Sequence, residues 1–314
     1  MSTGLSPAEL KARLGDGLMG FPITDFGPDL SFLPKPFEAR VAAMSRAGSA
    51  ALFVAAGAGE FFSLTDSEYA RLLESALAAR AGSVPLLGAA GRGTQDAIAH
   101  AALAERSGAD GLLLLPPYLT EVSQAGLAAH IRAVCRATAL GVVVYSRANG
   151  RLKPDTLARL AEECPNLVAL KDGVGEPEDL WAMRLALGQR LAFLNGMPTA
   201  ELYAPAFAAM GVGTYSSAIF SFLPGFALSF HRAVRANDRA FLDAAMQRFI
   251  LPYVRLRGRQ PGYAVSIVKA GAAIVGQPAG PVRPPLSDLT REEFLALESL
   301  IATALSIEET ARAA

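Results

Sequence analysis

One pattern constrains this chain more than any other. Short, uninterrupted apolar runs recur along it, each followed by a stretch with helical periodicity. The runs are LMGFPIT (18–24), AALFVAA (50–56), VPLLGAA (84–90), GLLLLPP (111–117), LGVVVYS (140–146), LVALKD (167–172), LAFLNG (191–196) and GVGTYSS (211–217). Between them, segments such as SEYARLLESALAAR (67–80) and TQDAIAHAALAERSG (94–108) space apolar residues three and four apart. A strand that is apolar on both faces has no solvent side, so it belongs in a parallel sheet covered on both sides. Eight such βα units predict an α/β chain folded as a closed (β/α)8 TIM barrel. A doubly wound open sheet is the alternative.

The strand signal stops after about residue 237. AFLDAAMQRFILPYVRL (240–256), YAVSIVKAGAAIVG (263–276) and TREEFLALESLIATALS (290–306) all read as helices, separated or bent by Pro252, Pro261 and the PVRPPL stretch at 281–286. The expected organisation is therefore a barrel with a short N-terminal helix over residues 1–237, followed by a C-terminal helical layer over 238–314.

Composition mainly excludes. The formal net charge is zero, which removes the electrostatic case for a nucleic-acid or anionic-membrane partner. No run approaches the roughly 18 apolar residues that a membrane span needs, and the N-terminus has no apolar leader region. Cys135 and Cys164 stand apart from any metal-ligand spacing and are expected to be buried free thiols of a cytoplasmic protein. His100, His130 and His231 fall in helical patterns and form no ligand cluster, so no metal site is expected. A neutral surface rich in Ala and Leu suggests that another subunit covers part of it.

The chemistry is concentrated at strand ends. In NLVALKDGVGE (166–176) an apolar run ends in Lys171. At the C-terminal end of a barrel strand such a residue faces the active-site mouth. Burial lowers a lysine's pKa, and a neutral amine attacks carbonyls to form Schiff bases. Of the other lysines, Lys11, Lys35 and Lys153 lie in polar or proline-bounded helix starts, while Lys269 lies in the apolar helix VSIVKAGAAIV. A snorkelling or interface lysine is expected at Lys269. A rim ion pair of Lys171 with Asp172 is the bland alternative to a nucleophile. Tyr145 ends the neighbouring run, where a phenol could shuttle the protons of imine formation. The AGAGEFFSLT loop (56–65) offers free backbone N–H groups at Gly57 and Ala58, a nest for a carboxylate, and equally a tight βα turn.

Several segments in order, GEFFSLT (59–65), LLPPYLTE (114–121), YSRAN (145–149), LKDGVGE (170–176), NGMPTAE (195–201), YSSAIFSFLP (215–224) and GYAVSIVKAG (262–271), resemble the dihydrodipicolinate synthase/N-acetylneuraminate lyase superfamily of class I Schiff-base barrels. Within it they are most similar to the branch that acts on 5-dehydro-4-deoxy-D-glucarate. The resemblance implies a barrel with a helical extension, assembled as a homo-oligomer (tetramer or dimer). It implies Lys171 as the Schiff-base lysine and Tyr145 as the proton-transfer residue, with the Gly57 and Ala58 backbone holding the carboxylate next to the keto carbon. The implied reaction is loss of water and carbon dioxide from a keto-dicarboxylate, giving 2,5-dioxopentanoate, with no cofactor. A dicarboxylate needs a second anion site. Arg147 is the expected cation, with Asn195, Ser216 and Ser217 as hydrogen-bond donors. Two positions depart from the superfamily pattern: Ala58 stands where a threonine hydroxyl is usual, and Leu119 where the synthases and lyases carry a second tyrosine. Another 2-keto-acid aldolase or synthase, and a catalytically silent keto-acid binder, are the competing readings.

Overall fold

Eight apolar strands leave no unpaired edge if the first pairs with the last, and that is the observed solution. The computed structural model describes residues 5–119 and 121–313, so Thr120 of the LLPPYLTE segment lies outside the described residues. The strands are β1 (Leu18–Gly20), β2 (Ala51–Phe53), β3 (Leu86–Arg92), β4 (Gly111–Pro117), β5 (Gly141–Ser146), β6 (Leu167–Asp172), β7 (Ala192–Asn195) and β8 (Tyr215–Ser217). They form a closed parallel barrel in sequence order, shut by β1–β8 pairing with Leu18 opposite Tyr215. All eight coincide with the apolar runs.

Helix α1 (Pro7–Leu14) precedes the barrel, and a helix follows each strand: α2 (Pro34–Arg46), α3 (Asp66–Ala79), α4 (Thr94–Ser107), α5 (Gln124–Arg136), α6 (Pro154–Glu163), α7 (Pro177–Leu187), α8 (Ala204–Ala209) and α9 (Pro224–Ala236). Local chemistry fixes several starts. Ser6 with Glu9, and Thr65 with Glu68, form reciprocal capping boxes on α1 and α3. Leu10 and Leu14 of α1 are buried among the inward-facing strand residues Met19, Ala51, Leu87, Leu113 and Val143. Gly111 and Gly141 make room for Leu10 there. Helix α1 thus plugs the N-terminal end of the barrel and leaves the C-terminal end as the open one.

The C-terminal helices are α10 (Arg239–Ala245), α11 (Leu251–Arg257), α12 (Tyr263–Ile274) and α13 (Arg291–Ala313). The periodic stretch 240–256 is one helical path with a π turn at Met246–Ile250, after which Pro252 sits at the start of α11. A π turn reaims the helix that follows. The path ends at Arg257, the last residue of α11. Cys135 and Cys164 are buried free thiols. No helix among the described residues is long and apolar enough to cross a membrane.

Candidate active site

Alternation along a strand sends every second side chain into the barrel. On β6 that places Ala169 and Lys171 inward, and on β5 Val143 and Tyr145. Register pairs Tyr145 directly with Lys171. The amine lies 3.9 Å from the Tyr145 ring centroid, 4.8 Å from that of Phe21 and 5.8 Å from that of Phe53. Among the described residues no carboxylate is paired with it. Asp172, the next residue, points the other way, and its carboxylate accepts the backbone N–H groups of Val174 (2.9 Å) and Gly175 (3.3 Å). The rim ion pair is therefore not formed.

This packing requires two glycines. A Cβ on Gly196 would stand 2.6 Å from Lys171 Cγ and 3.0 Å from Tyr145 Cε2, and one on Gly173 would stand 2.7 Å from Tyr145 Cε2. The Tyr145 hydroxyl donates to the Gly196 carbonyl at 2.8 Å and accepts from Arg147 Nη1 at 3.2 Å. Burial, aided by the nearby Arg147 charge, lowers Lys171 from lysine's ordinary 10.5 to about 7. Burial raises the Tyr145 phenol, and Arg147 opposes that shift. Near neutral pH a substantial fraction of this amine is therefore neutral, beside a phenol that stays protonated, the protonation states that carbinolamine formation requires.

Across the mouth, neither Gly57 nor Ala58 donates its N–H to any described group, and the Cβ direction of Gly57 opens onto empty space. The turn that carries them is held from behind. Glu60, with a left-handed backbone at φ 58°, donates its N–H to Gly57 O at 3.1 Å. The Thr24 hydroxyl donates to Gly59 O at 2.6 Å. The Glu60 carboxylate pairs with Lys269 at 2.8 Å and accepts the Arg283 N–H at 3.0 Å. Lys269 is accordingly neither snorkelling nor at an interface: it is buried, its ammonium donating also to Pro281 O at 2.7 Å. Lys11, Lys35 and Lys153 make outward contacts with Gln189 O, Glu38 and Asp179.

A cavity of about 290 Å³ collects Lys171, Tyr145, Gly57, Ala58, Arg147 and Ser216. Asn195 and Ser217 do not join them. Register pairs Asn195 with Asp172, and Ser217 with Gly20, one step past the inward residues Lys171 and Met19. Both face outward, where the Asn195 amide donates to Ala200 O and accepts from Met197 N–H. Ser217 donates to the buried Glu201 and accepts from Phe220 N–H. In this arrangement both side chains cap turns behind the strand ends. Conversely, Phe21, Gly196, Thr199 and Arg257 line the cavity without having been singled out. Gly196 and Thr199 lie in the quoted NGMPTAE segment, but Arg257 had no strand-end signal at all. Leu119 is exposed at the mouth. The histidines are structural: His130 meets the Thr94 hydroxyl at 2.9 Å, His231 meets Gly213 O at 3.2 Å, and His100 packs edge-on against Phe61 and Tyr69.

An inward lysine on β6 beside an inward tyrosine on β5 is the arrangement that the resemblance implied, and whole-chain comparison extends it. The family model for the dihydrodipicolinate synthetase family matches residues 15–304. The chain belongs to this family. Proteins named "Probable 5-dehydro-4-deoxyglucarate dehydratase" are similar over nearly full length. The one from Leptothrix cholodnii is 51% identical, covering 95% of this chain and 98% of that one. The one from Methylobacterium radiotolerans is 52% identical with the same coverage of both chains. Among solved structures, dihydrodipicolinate synthase from Oceanobacillus iheyensis superposes with a TM-score of 0.87 at 22% identity, covering 96% of this chain and 100% of that one. At that identity the likeness concerns the fold.

Proposed function

We propose that this family member is a decarboxylating hydro-lyase that converts 5-dehydro-4-deoxy-D-glucarate to 2,5-dioxopentanoate, carbon dioxide and water through a Schiff base on Lys171. One observation carries the chemistry: a buried lysine that no carboxylate among the described residues pairs with, its amine 3.9 Å from the Tyr145 ring centroid. The names of relatives near 50% identity support the substrate.

The neutral Lys171 amine attacks the keto carbon, and Tyr145 delivers and removes the protons that let water leave as the iminium forms. The iminium acidifies the adjacent methylene. Loss of that proton gives an enamine, which expels the β-hydroxyl with a proton as water. The unsaturated iminium is now conjugated to the carbon that bears the far carboxylate. When that carboxylate leaves as carbon dioxide, its bonding electrons flow to the iminium nitrogen. Protonation and hydrolysis then release the product and the free amine. The water released on forming the imine is consumed on hydrolysing it, so the net loss is one water and one carbon dioxide. The Gly57 and Ala58 amides hold the near carboxylate, which backbone N–H groups accomplish without the threonine hydroxyl that Ala58 lacks. The exposed apolar Leu119 and Phe62 at the mouth, and Trp181 and Leu185 on α7, favour a homo-oligomer. The unbridged thiols fit a cytoplasmic enzyme.

Borohydride trapping with the substrate, followed by intact-protein mass measurement, peptide mapping and a product assay, tests this directly. A single adduct on Lys171 together with 2,5-dioxopentanoate is expected. Folded protein that forms no adduct with either this substrate or pyruvate overturns it and favours a silent binder. An adduct with an aldol product instead favours another lyase.

A further inference from the structure

The substrate read for this site carries two carboxylates, and the nest at Gly57 and Ala58 accommodates one. Among the described residues two guanidinium groups line the cavity, Arg147 and Arg257, and no Asp or Glu does. Among the described residues neither arginine forms an ion pair. Their surroundings differ. Arg147 sits on the β5 side, exposed, and its Nη1 already donates to the catalytic phenol. Arg257 is partly buried at the end of α11, on the β7–β8 side. Its polar partner is the hydroxyl of Thr199, 2.5 Å from Nη1. Thr199 is itself buried and strained, with a left-handed backbone at φ 52°. Tyr253, Val265 and Leu286 form a largely apolar wall on the same side of the cavity. Glu201 senses the Arg257 charge, but it lies beyond ion-pair distance and bonds Ser217 instead.

A guanidinium that is partly desolvated, oriented by a neutral hydroxyl and left without a counter-ion is preorganised for an external carboxylate. We infer that Arg257, oriented by Thr199, binds the distal carboxylate of the substrate and sets the preference for keto-dicarboxylates over keto-monocarboxylates. This rests on the Schiff-base reading above and deepens it. Arg257 is then a substrate-binding residue and Thr199 a positioning residue. Arg147, expected from sequence to grip this group, acts on Tyr145 and Lys171 instead. Because the distal carboxylate is the one lost as carbon dioxide, its anchor also sets the bond to be broken against the conjugated iminium.

The test uses two six-carbon keto acids that differ only at the far end, 2-oxoadipate and 2-oxohexanoate. For each, the concentration giving half-maximal borohydride trapping on Lys171 is measured. The ratio of the two is the readout, with circular dichroism confirming the fold of each variant. The native protein should favour 2-oxoadipate by about 10- to 100-fold, the range of one charge-assisted bidentate contact. Arg257→Gln should bring the ratio close to one, Arg257→Lys should restore part of it, and Thr199→Val should lower it by a smaller factor. Arg147→Gln should affect both acids equally and preserve the ratio. An unchanged ratio in Arg257→Gln, or a collapsed one in Arg147→Gln, overturns the assignment. Native protein that traps both acids equally well removes the clamp and leaves the Schiff-base reading standing. Native protein that traps neither removes both.

Discussion

Two lysines are buried in this molecule, and only one is equipped to react. Lys171 lies near the end of β6 inside the barrel, with three aromatic rings around its amine and, among the described residues, no carboxylate paired with it. Lys269 lies on α12, within 2.8 Å of the Glu60 carboxylate and 2.7 Å of the Pro281 carbonyl, over the Phe26 ring at 4.2 Å. Burial lowers both lysines, but at Lys269 the Glu60 charge pulls the other way, whereas at Lys171 the added Arg147 charge pushes further down. Desolvation alone does not make a nucleophile. What separates the two is the sign of the nearest charge. One ammonium is structural and holds the Glu60 turn beneath the carboxylate nest. The other amine is neutral enough to attack.

The largest expected effect comes from exchanging the two lysines for methionine. Lys171→Met should abolish trapping and turnover while raising thermal stability, because a desolvated amine without a partner is removed. That gain should be greatest below pH 7 and fade towards lysine's ordinary 10.5, since the folded amine releases its proton near 7 while the unfolded one holds it. Lys269→Met should instead keep the adduct on Lys171 and lose about 3–5 kcal/mol of stability, the usual consequence of orphaning a buried charge. Calorimetry and adduct mapping on both variants decide the matter. An adduct that survives Lys171→Met and vanishes in Lys269→Met would reverse the assignment.

The next effects sharpen what surrounds the reactive lysine. Tyr145→Phe should reduce kcat by about 10²- to 10⁴-fold, the range of a lost proton-transfer group, with slow trapping still detectable. Wild-type kcat would show that another group moves the proton. Gly196→Ala places a Cβ against Lys171 and Tyr145, and a displacement of that size should reduce kcat about 100-fold, with little change in the melting temperature of the surrounding barrel. The smallest effect is on pH dependence. The limb of kcat/KM should rise with pH up to about 7, as the neutral amine accumulates, and then level off. Arg147→Gln removes a neighbouring positive charge, so the limb should move to higher pH; a limb that stays in place would show that burial alone sets it.

Much of this was readable from the chain, and the exceptions have physical causes. The apolar runs located all eight strands because a parallel barrel buries both faces of each strand, which leaves a contiguous signal. Lys171 and Tyr145 stood out because each ends such a run. Asn195 and Ser217 end strands without lining the cavity, because nearness to a strand end does not give facing. A one-residue step reverses a side chain, and the barrel register that settles it is a long-range property. Lys269 read as an interface residue because its partner, Glu60, lies more than two hundred positions earlier, as the pairing across the fold shows. Arg257 was invisible for a related reason. It ends a helix of the C-terminal layer, and only the packing of that layer over the barrel brings it to the cavity.

By itself, then, the sequence determined the elements, their order, the closed barrel and the lysine–tyrosine pair, because hydrophobic periodicity and residue type act locally and repeat along the chain. Tertiary structure alone decided which polar side chains face the cavity, which buried lysine meets a counter-charge, and which arginine of the C-terminal layer reaches the cavity. Those outcomes depend on register and on contacts between residues far apart in the chain, and no local pattern encodes the sign of a charge that arrives from elsewhere.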